Sequence, residues 1–212
     1  GLLNSLLDIS KLEAGTIIPR RQNFHAVPFL QRLQTQFRAL AQEAGVKLRV
    51  FPANSVLYTD PILLARILQN FVSNAMRHTQ GDSVLIGCRR AGLFRRIEVR
   101  DTGRGVPGDQ LEKIFEEFYQ LGNPTRSRRQ GLGLGLAIAK RMADLLGLRL
   151  SARSVVGKGS VFAVEVPLGR SQVPEPAHPA QMTTALVVRR GTILVVEDDE
   201  YVLKATQRLL ET

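Results

Sequence analysis

The sequence predicts an α/β (α+β) fold in two layers, a mixed sheet with three main helices on one face. Apolar residues at helical spacing alternate with short strand patterns over residues 20–168, and some of those strands form hairpins adjacent in sequence. The length of 212 residues, 44% of them hydrophobic, suits one substantial domain with appendages.

Residues 2–14 place Leu2, Leu3, Leu6, Leu7, Ile9 and Leu12 along one broad side of a helix that Gly15 stops. Isolated helices under about 12–15 residues are marginal. This stripe is therefore expected to meet a helix upstream or in a second subunit, rather than to be an ordinary packing helix of the next domain.

Between residues 27 and 44, Phe29, Leu30, Leu33, Phe37, Leu40 and Ala41 recur at helical spacing up to Gly45, and residues 46–51 alternate as a strand. Asp60 and Pro61 cap and open a helix that runs to about residue 78. Strands near 84–90 and 94–101 turn at Ala91 and Gly92. A glycine-rich stretch, a short helix over 110–118 and a loop to Gly131 follow. The third long helix, 134–146, stops at Gly147, and 148–154 with 161–166 read as a closing hairpin. Residues 169–190 hold Pro174, Pro176 and Pro179 among small and polar residues, a linker. Residues 192–196 then read as a buried strand before an acidic cluster.

The formal charge is +10, and seven arginines fall between residues 77 and 104. They lack interleaved stacking aromatics, and the chain has no Trp. The basic charge reads as a solvated surface that tolerates a polyanionic ligand, and no nucleic-acid partner is expected. Apolar runs fall far short of the roughly 20 residues of a membrane span. The single cysteine, Cys88, fits a reducing cytoplasmic setting, with membrane spans upstream left open.

Four motifs carry chemistry. On the helix from Asp60, Leu64, Leu68, Phe71, Val72 and Ala75 form one side, while Arg66, Asn70, Asn74 and Arg77 form the opposite stripe. Asparagine oxygens suit a hard cation such as Mg2+, and the amide groups can donate to phosphate; an exposed polar face would look the same. Asp101-Thr102-Gly103-Arg104-Gly105 follows a strand. An ionised Asp101 can accept from an exocyclic amine such as that of adenine. Gly131-Leu132-Gly133-Leu134-Gly135-Leu136 opens a helix, whose unpaired N–H groups suit phosphate. Gly157-Lys158-Gly159-Ser160 sits between the last two strands, where a tight hairpin alone would explain it. No Gly-Lys-Ser/Thr loop of the P-loop kind is present, and a dinucleotide fingerprint would need glycine where Leu136 stands.

In this order the motifs, with Phe115-Glu116-Glu117-Phe118 between them, resemble the N, G1, F, G2 and G3 boxes of the GHKL superfamily, and within it the sensor histidine kinases. The resemblance spans about residues 20–168. It implies a Bergerat-type two-layer sandwich that binds ATP and Mg2+. Asn74 is then expected on Mg2+ with Asn70 assisting, and Arg77 and His78 near the phosphates or ribose. Asp101 is expected on the adenine amine, with Gly103 and Gly105 shaping the pocket. Gly131, Gly133, Gly135 and Leu136 face the phosphates, and Ser160 holds a water beside Asp101. Phe115 and Phe118 anchor a lid over 119–132 whose Arg126, Arg128 and Arg129 meet the triphosphate. His78 departs from the family, which often has an aromatic there.

Gyrase B and MutL, hydrolases of this superfamily, carry a glutamate where this sequence has Asn70, and an amide cannot act as a general base. The resemblance therefore implies phosphoryl transfer to another group. The alternatives are a DNA-linked ATPase and a nucleotide-free pseudokinase scaffold. None of His25, His78 and His178 resembles an acceptor histidine followed by an acid. Residues 1–15 look like the end of the dimerisation and phosphoacceptor helices, and the parent of a hybrid kinase is expected to be a homodimer. Residues 191–212, with Glu197 and Asp198 as early Mg2+ acids, look like the start of a receiver domain.

Overall fold

The computed structural model describes residues 2–79, 83–121 and 132–170, and the structural statements below concern these. The order of elements is α1 (Leu2–Glu13), β1 (Gln22–His25), α2 (Ala26–Glu43), β2 (Lys47–Phe51), β3 (Val56–Thr59), α3 (Pro61–His78), β4 (Ser83–Ala91), β5 (Phe94–Asp101), α4 (Gly135–Leu146), β6 (Arg149–Val155) and β7 (Gly159–Pro167). A five-stranded sheet runs β2-β4-β5-β7-β6, and β1 pairs with β3 in a second, two-stranded sheet. Only β2 and β4 are parallel in the large sheet, so it is mixed, as expected.

Strand alternation decides which face is covered. Val84, Ile86, Ile97, Val99, Phe162 and Val164 are buried on one side of the sheet. They meet apolar residues of α2, α3 and α4, among them Leu30, Leu64, Ile67, Leu68 and Met142. Phe71 of α3 packs on Phe162 of β7 with ring centroids 5.5 Å apart, joining helix layer to sheet at the centre.

Asp60 starts α3 as its position predicts. Its Oδ1 accepts from the N–H groups of Ile62 at 2.8 Å and Leu63 at 3.1 Å, and its Oδ2 accepts from Arg20 N–H at 2.7 Å. One buried carboxylate therefore caps the helix and pins the segment that enters β1. Asp60→Ala is expected to destabilise the domain by about 2 kcal/mol, the upper end for a lost cap because three N–H groups lose their partner; urea unfolding measures it.

Two expectations need correction. The helix expected over 110–118 is instead two single 3-10 turns, Gly108–Gln110 and Lys113–Phe115, and Glu116 already returns to extended backbone. Strands β1 and β3 were not anticipated, because four residues are too few for an alternating pattern to stand out. Of the α1 stripe, Ile9 is buried in the core, Leu12 is half-buried and Leu7 is exposed, while Glu13 pairs with Arg141 of α4 at 3.1 Å. Among the described residues no helix is long and apolar enough to cross a membrane.

Candidate functional site

A cavity of about 740 Å3 lies between α3, the start of α4 and the ends of β5 and β7. Asn70, Asn74, Arg77 and His78 of α3 line it, with Asp101, Gly105, Gly133, Gly135, Leu136 and Ser160 from the three glycine motifs. Positions up to 90 residues apart in sequence thus meet in one cleft. Gly131, Arg126, Arg128 and Arg129 fall outside the described residues, as do Glu197 and Asp198.

Asp101 ends β5 and is buried. Its Oδ1 accepts from the N–H of Gly103 at 2.9 Å and of Ser160 at 3.2 Å. Oδ2 makes no hydrogen bond to the described residues, so it can accept from a donor in the cavity. Burial pushes the carboxyl above its ordinary 3.8, and the two N–H groups oppose that rise. Oδ1 therefore fixes the carboxyl in place while Oδ2 is left open.

The backbone around it has no room for side chains. Gly103 does not itself line the cavity. A Cβ there would strike the carbonyl oxygen of His78 and lie 3.0 Å from Asp101 Oδ1, so glycine lets the loop close over α3. Gly159, at φ +104°, is tighter, since a Cβ would strike the carbonyl oxygen of Asp101. Ser154 of β6 ties these pieces together. It accepts from Val106 N–H at 2.8 Å, donates to the Gly159 carbonyl at 2.8 Å and lies 3.0 Å from the Ser160 hydroxyl. With its one proton committed, Ser154 accepts from Ser160, whose lone pairs stay available beside Asp101.

The helical side of the cleft is polar and cationic. Helix α4 begins after Leu134 with no side-chain cap, so its first N–H groups are open to an anion. Asn70 Nδ2 donates to the Arg66 carbonyl at 3.0 Å, and a Cβ on Gly135 would lie 3.0 Å from Asn70 Oδ1. The α3 stripe is thereby brought against the uncapped helix start. His78 is held neutral. Burial first, then Arg104 and Arg77, lower it from 6.5 to about 4. Because the unfolded chain takes up this proton at higher pH, the contribution is present above pH 6.5 and is lost as pH falls toward 4. The difference in urea midpoint between the wild type and His78→Asn is expected to grow across that window with the sign favouring the variant at low pH.

Phe115 packs edge-on against Phe162, with centroids 6.3 Å apart. Phe118 does not share that contact. It is 53% exposed and holds φ 61°, a strained value for a bulky residue. The apolar wall was not read from the sequence. It consists of Val106, Ile114, Tyr119, Leu121, Leu132 and Phe162, residues whose core-like character hides any role in a site. Tyr119 is fixed there by a 2.8 Å bond from its hydroxyl to Gln110 Oε1. Among the described residues no group of three or more His, Cys, Asp or Glu converges on a metal position.

Residues 59–170 match the family described as Histidine kinase-, DNA gyrase B-, and HSP90-like ATPase. The chain is 30% identical over 217 residues to the autoinducer 2 sensor kinase/phosphatase LuxQ of Vibrio vulnificus (strain YJ016), covering 96% of this chain and 25% of that protein. It is 32% identical over 225 residues to the sensor histidine kinase AruS of Pseudomonas aeruginosa, covering 99% and 21%. The chain thus spans about a quarter of the length of these curated relatives. A solved structure of full-length ShkA in complex with AMPPNP superposes with TM-score 0.71 at 28% identity, over 82% of this chain and 36% of that one. The Acinetobacter baumannii histidine kinase AdeS shares the fold, with TM-score 0.66 at 16% identity over 80% and 78%. With the cleft, its order of motifs and these likenesses in agreement, the chain belongs to the histidine kinase-, DNA gyrase B- and HSP90-like ATPase family, among the catalytic ATP-binding domains of sensor histidine kinases.

Proposed function

We propose that this domain binds Mg-ATP in the cleft and delivers its γ-phosphoryl to a histidine on an upstream helical domain. The observation that carries the choice of transfer over hydrolysis is the chemistry of the cavity wall. Asp101 is the only carboxylate among the described lining residues, and its Oδ1 is already taken by the N–H groups of Gly103 and Ser160. Asn70 cannot take a proton from water, and His78, lowered to about 4, is a weak base. Phosphoryl transfer needs positioning and charge neutralisation more than a base.

In this reading Oδ2 of Asp101 accepts the adenine amine, and Ser160 holds a water beside it. The apolar wall of Val106, Ile114 and Phe162 takes the purine ring. The α4 N-terminus, with Gly133, Gly135 and Leu136, receives the phosphates, and Arg77 and His78 stand over them or the ribose. The cleft fits a metal that arrives with the nucleotide, since it offers the neutral oxygens of Asn74 and Asn70 and no carboxylate cage. Bound Mg2+ would neutralise charge on the phosphate oxygens. Arg126, Arg128 and Arg129 would meet the triphosphate, and Phe115 would anchor the segment that carries them. Residues 1–15 are read as the C-terminal end of a dimerisation and phosphoacceptor helix pair and residues 191–212 as the start of a receiver, both cytoplasmic partners of this domain in a homodimeric hybrid kinase.

Calorimetric titration with ATP and Mg2+, followed by phosphotransfer to a separately supplied histidine-bearing helical domain, tests the proposal. Binding on the order of micromolar is expected, with label passing to the added histidine and none to the chain itself. Multiple-turnover release of phosphate by the chain alone would instead identify a hydrolase, and absence of binding a scaffold.

A further inference from the structure

The face of the sheet turned away from the helices has an unusual composition. Strand register sets three rows across it. Arg49, Leu85, Arg100, Val161 and Arg153 stand side by side in the first. Phe51, Gly87, Glu98, Ala163 and Ser151 form the second. Arg89, Arg96, Glu165 and Arg149 form the third. Six arginines and two glutamates occupy a patch about 19 Å wide and 13 Å deep, from the usual strand and residue spacings.

The glutamates organise the arginines rather than cancel them. Glu98 is 2% exposed although it lies on the open face, because Arg89, Arg96 and Arg100 close over it. Its Oε1 accepts from Arg89 Nε and Arg96 Nε, both at 2.9 Å, and its Oε2 from Arg100 Nε at 3.1 Å and Nη2 at 2.6 Å. Arg96 also donates to Glu165 at 2.9 Å and Ser151 at 2.7 Å. Burial raises the Glu98 carboxyl, but the hydrogen bonds from Arg100, Arg96 and Arg89 outweigh it and hold it at about 2. The Arg89 and Arg100 side chains remain 56% and 54% exposed, with their guanidinium planes already oriented. Fixing a flexible charged side chain in advance lowers the entropy lost when it meets a partner.

We propose that this sheet face is a docking surface for an acidic protein surface, with Arg49, Arg149 and Arg153 as its outer contacts and the Glu98 cluster as its ordered centre. The pattern suits a protein better than a nucleic acid. A five-stranded face about 19 Å across is too wide for the roughly 12 Å major groove, and Phe51 at the edge is the only aromatic in the three rows for stacking on unpaired bases. Leu85 and Val161 offer apolar contact between arginines, which a protein surface can use and a phosphate backbone cannot. The patch is small beside a stable interface, so docking is transient and sensitive to salt. This proposal stands apart from the nucleotide site.

The test uses the whole chain and fluorescent poly-L-glutamate as the acidic probe. Arg49→Glu/Arg149→Glu/Arg153→Glu is expected to weaken binding at least tenfold and flatten its salt dependence, with ATP affinity unchanged. A control that reverses the same number of charges on the helices, Arg32→Glu/Arg38→Glu/Lys140→Glu, is expected to lose less than threefold. Equal losses in the two variants would overturn the proposal as an effect of net charge. Duplex DNA binding more tightly than poly-L-glutamate through the same arginines would overturn it in favour of nucleic acid.

Discussion

Asp101→Ala is expected to weaken ATP binding about 100-fold in calorimetric titration. A hydrogen bond to a charged group contributes about 1.5–3 kcal/mol, and each 1.4 kcal/mol is tenfold in affinity. The sharper variant is Asp101→Asn. Its retained oxygen can still accept from Gly103 and Ser160, so the loop keeps both bonds, while an amide donor replaces Oδ2 in the cavity. A donor there opposes the adenine amine and suits the carbonyl of guanine. ATP affinity should fall while the preference for ATP over GTP narrows or inverts. A folded Asp101→Asn protein that keeps wild-type affinity and preference would remove Asp101 from base recognition.

Gly159→Ala is expected to be the most damaging single-methyl change in the domain, with a loss of about 3 kcal/mol or more in urea unfolding. Two effects combine. The residue holds φ +104°, and the added Cβ meets the backbone oxygen of Asp101, which cannot rotate away as a side chain would. Relief requires β7 or the end of β5 to move, so nucleotide affinity should fall with stability. Gly157→Ala in the same turn separates the terms. At φ +76° with nothing within 4 Å of its Cβ, it should cost only the left-handed strain, about 1–2 kcal/mol, and spare nucleotide binding.

Both variants rest on features of different legibility. Asp101 stood out because a carboxylate at a strand end before two glycines calls for a ligand or a turn. The start of α3 was equally plain, since Asp60 and Pro61 each act locally. Helix stops at Gly45 and Gly147 were readable for the same reason. What the sequence concealed depends on distant partners. A serine in a strand carries no mark, so Ser154 emerged only when β6 brought it against Val106 and Ser160. The parallel pairing of β2 with β4 spans a whole helix and leaves no local trace. The apolar cleft wall uses the residues that any core would use. The short 3-10 turns after Pro107 had the apolar spacing of a helix but too few residues to sustain one.

The small β1-β3 sheet has a mechanical consequence. Gln22, where the chain enters, pairs with Thr59, while Leu57 of the same β3 strand bridges to Leu168 near the exit. Gly169 N–H donates to the Val56 carbonyl at 2.9 Å, and Arg170 N–H to Asn23 Oδ1 at 3.1 Å. Entry and exit are thus stitched to one short patch, outside the five-stranded sheet. Tension applied through the two flanking segments would load this patch together with the Arg20–Asp60 bond that caps α3. A pull from either flank is thus shared between the seam and the cap of α3, two sets of bonds that must give before β5 and β7 part around Asp101.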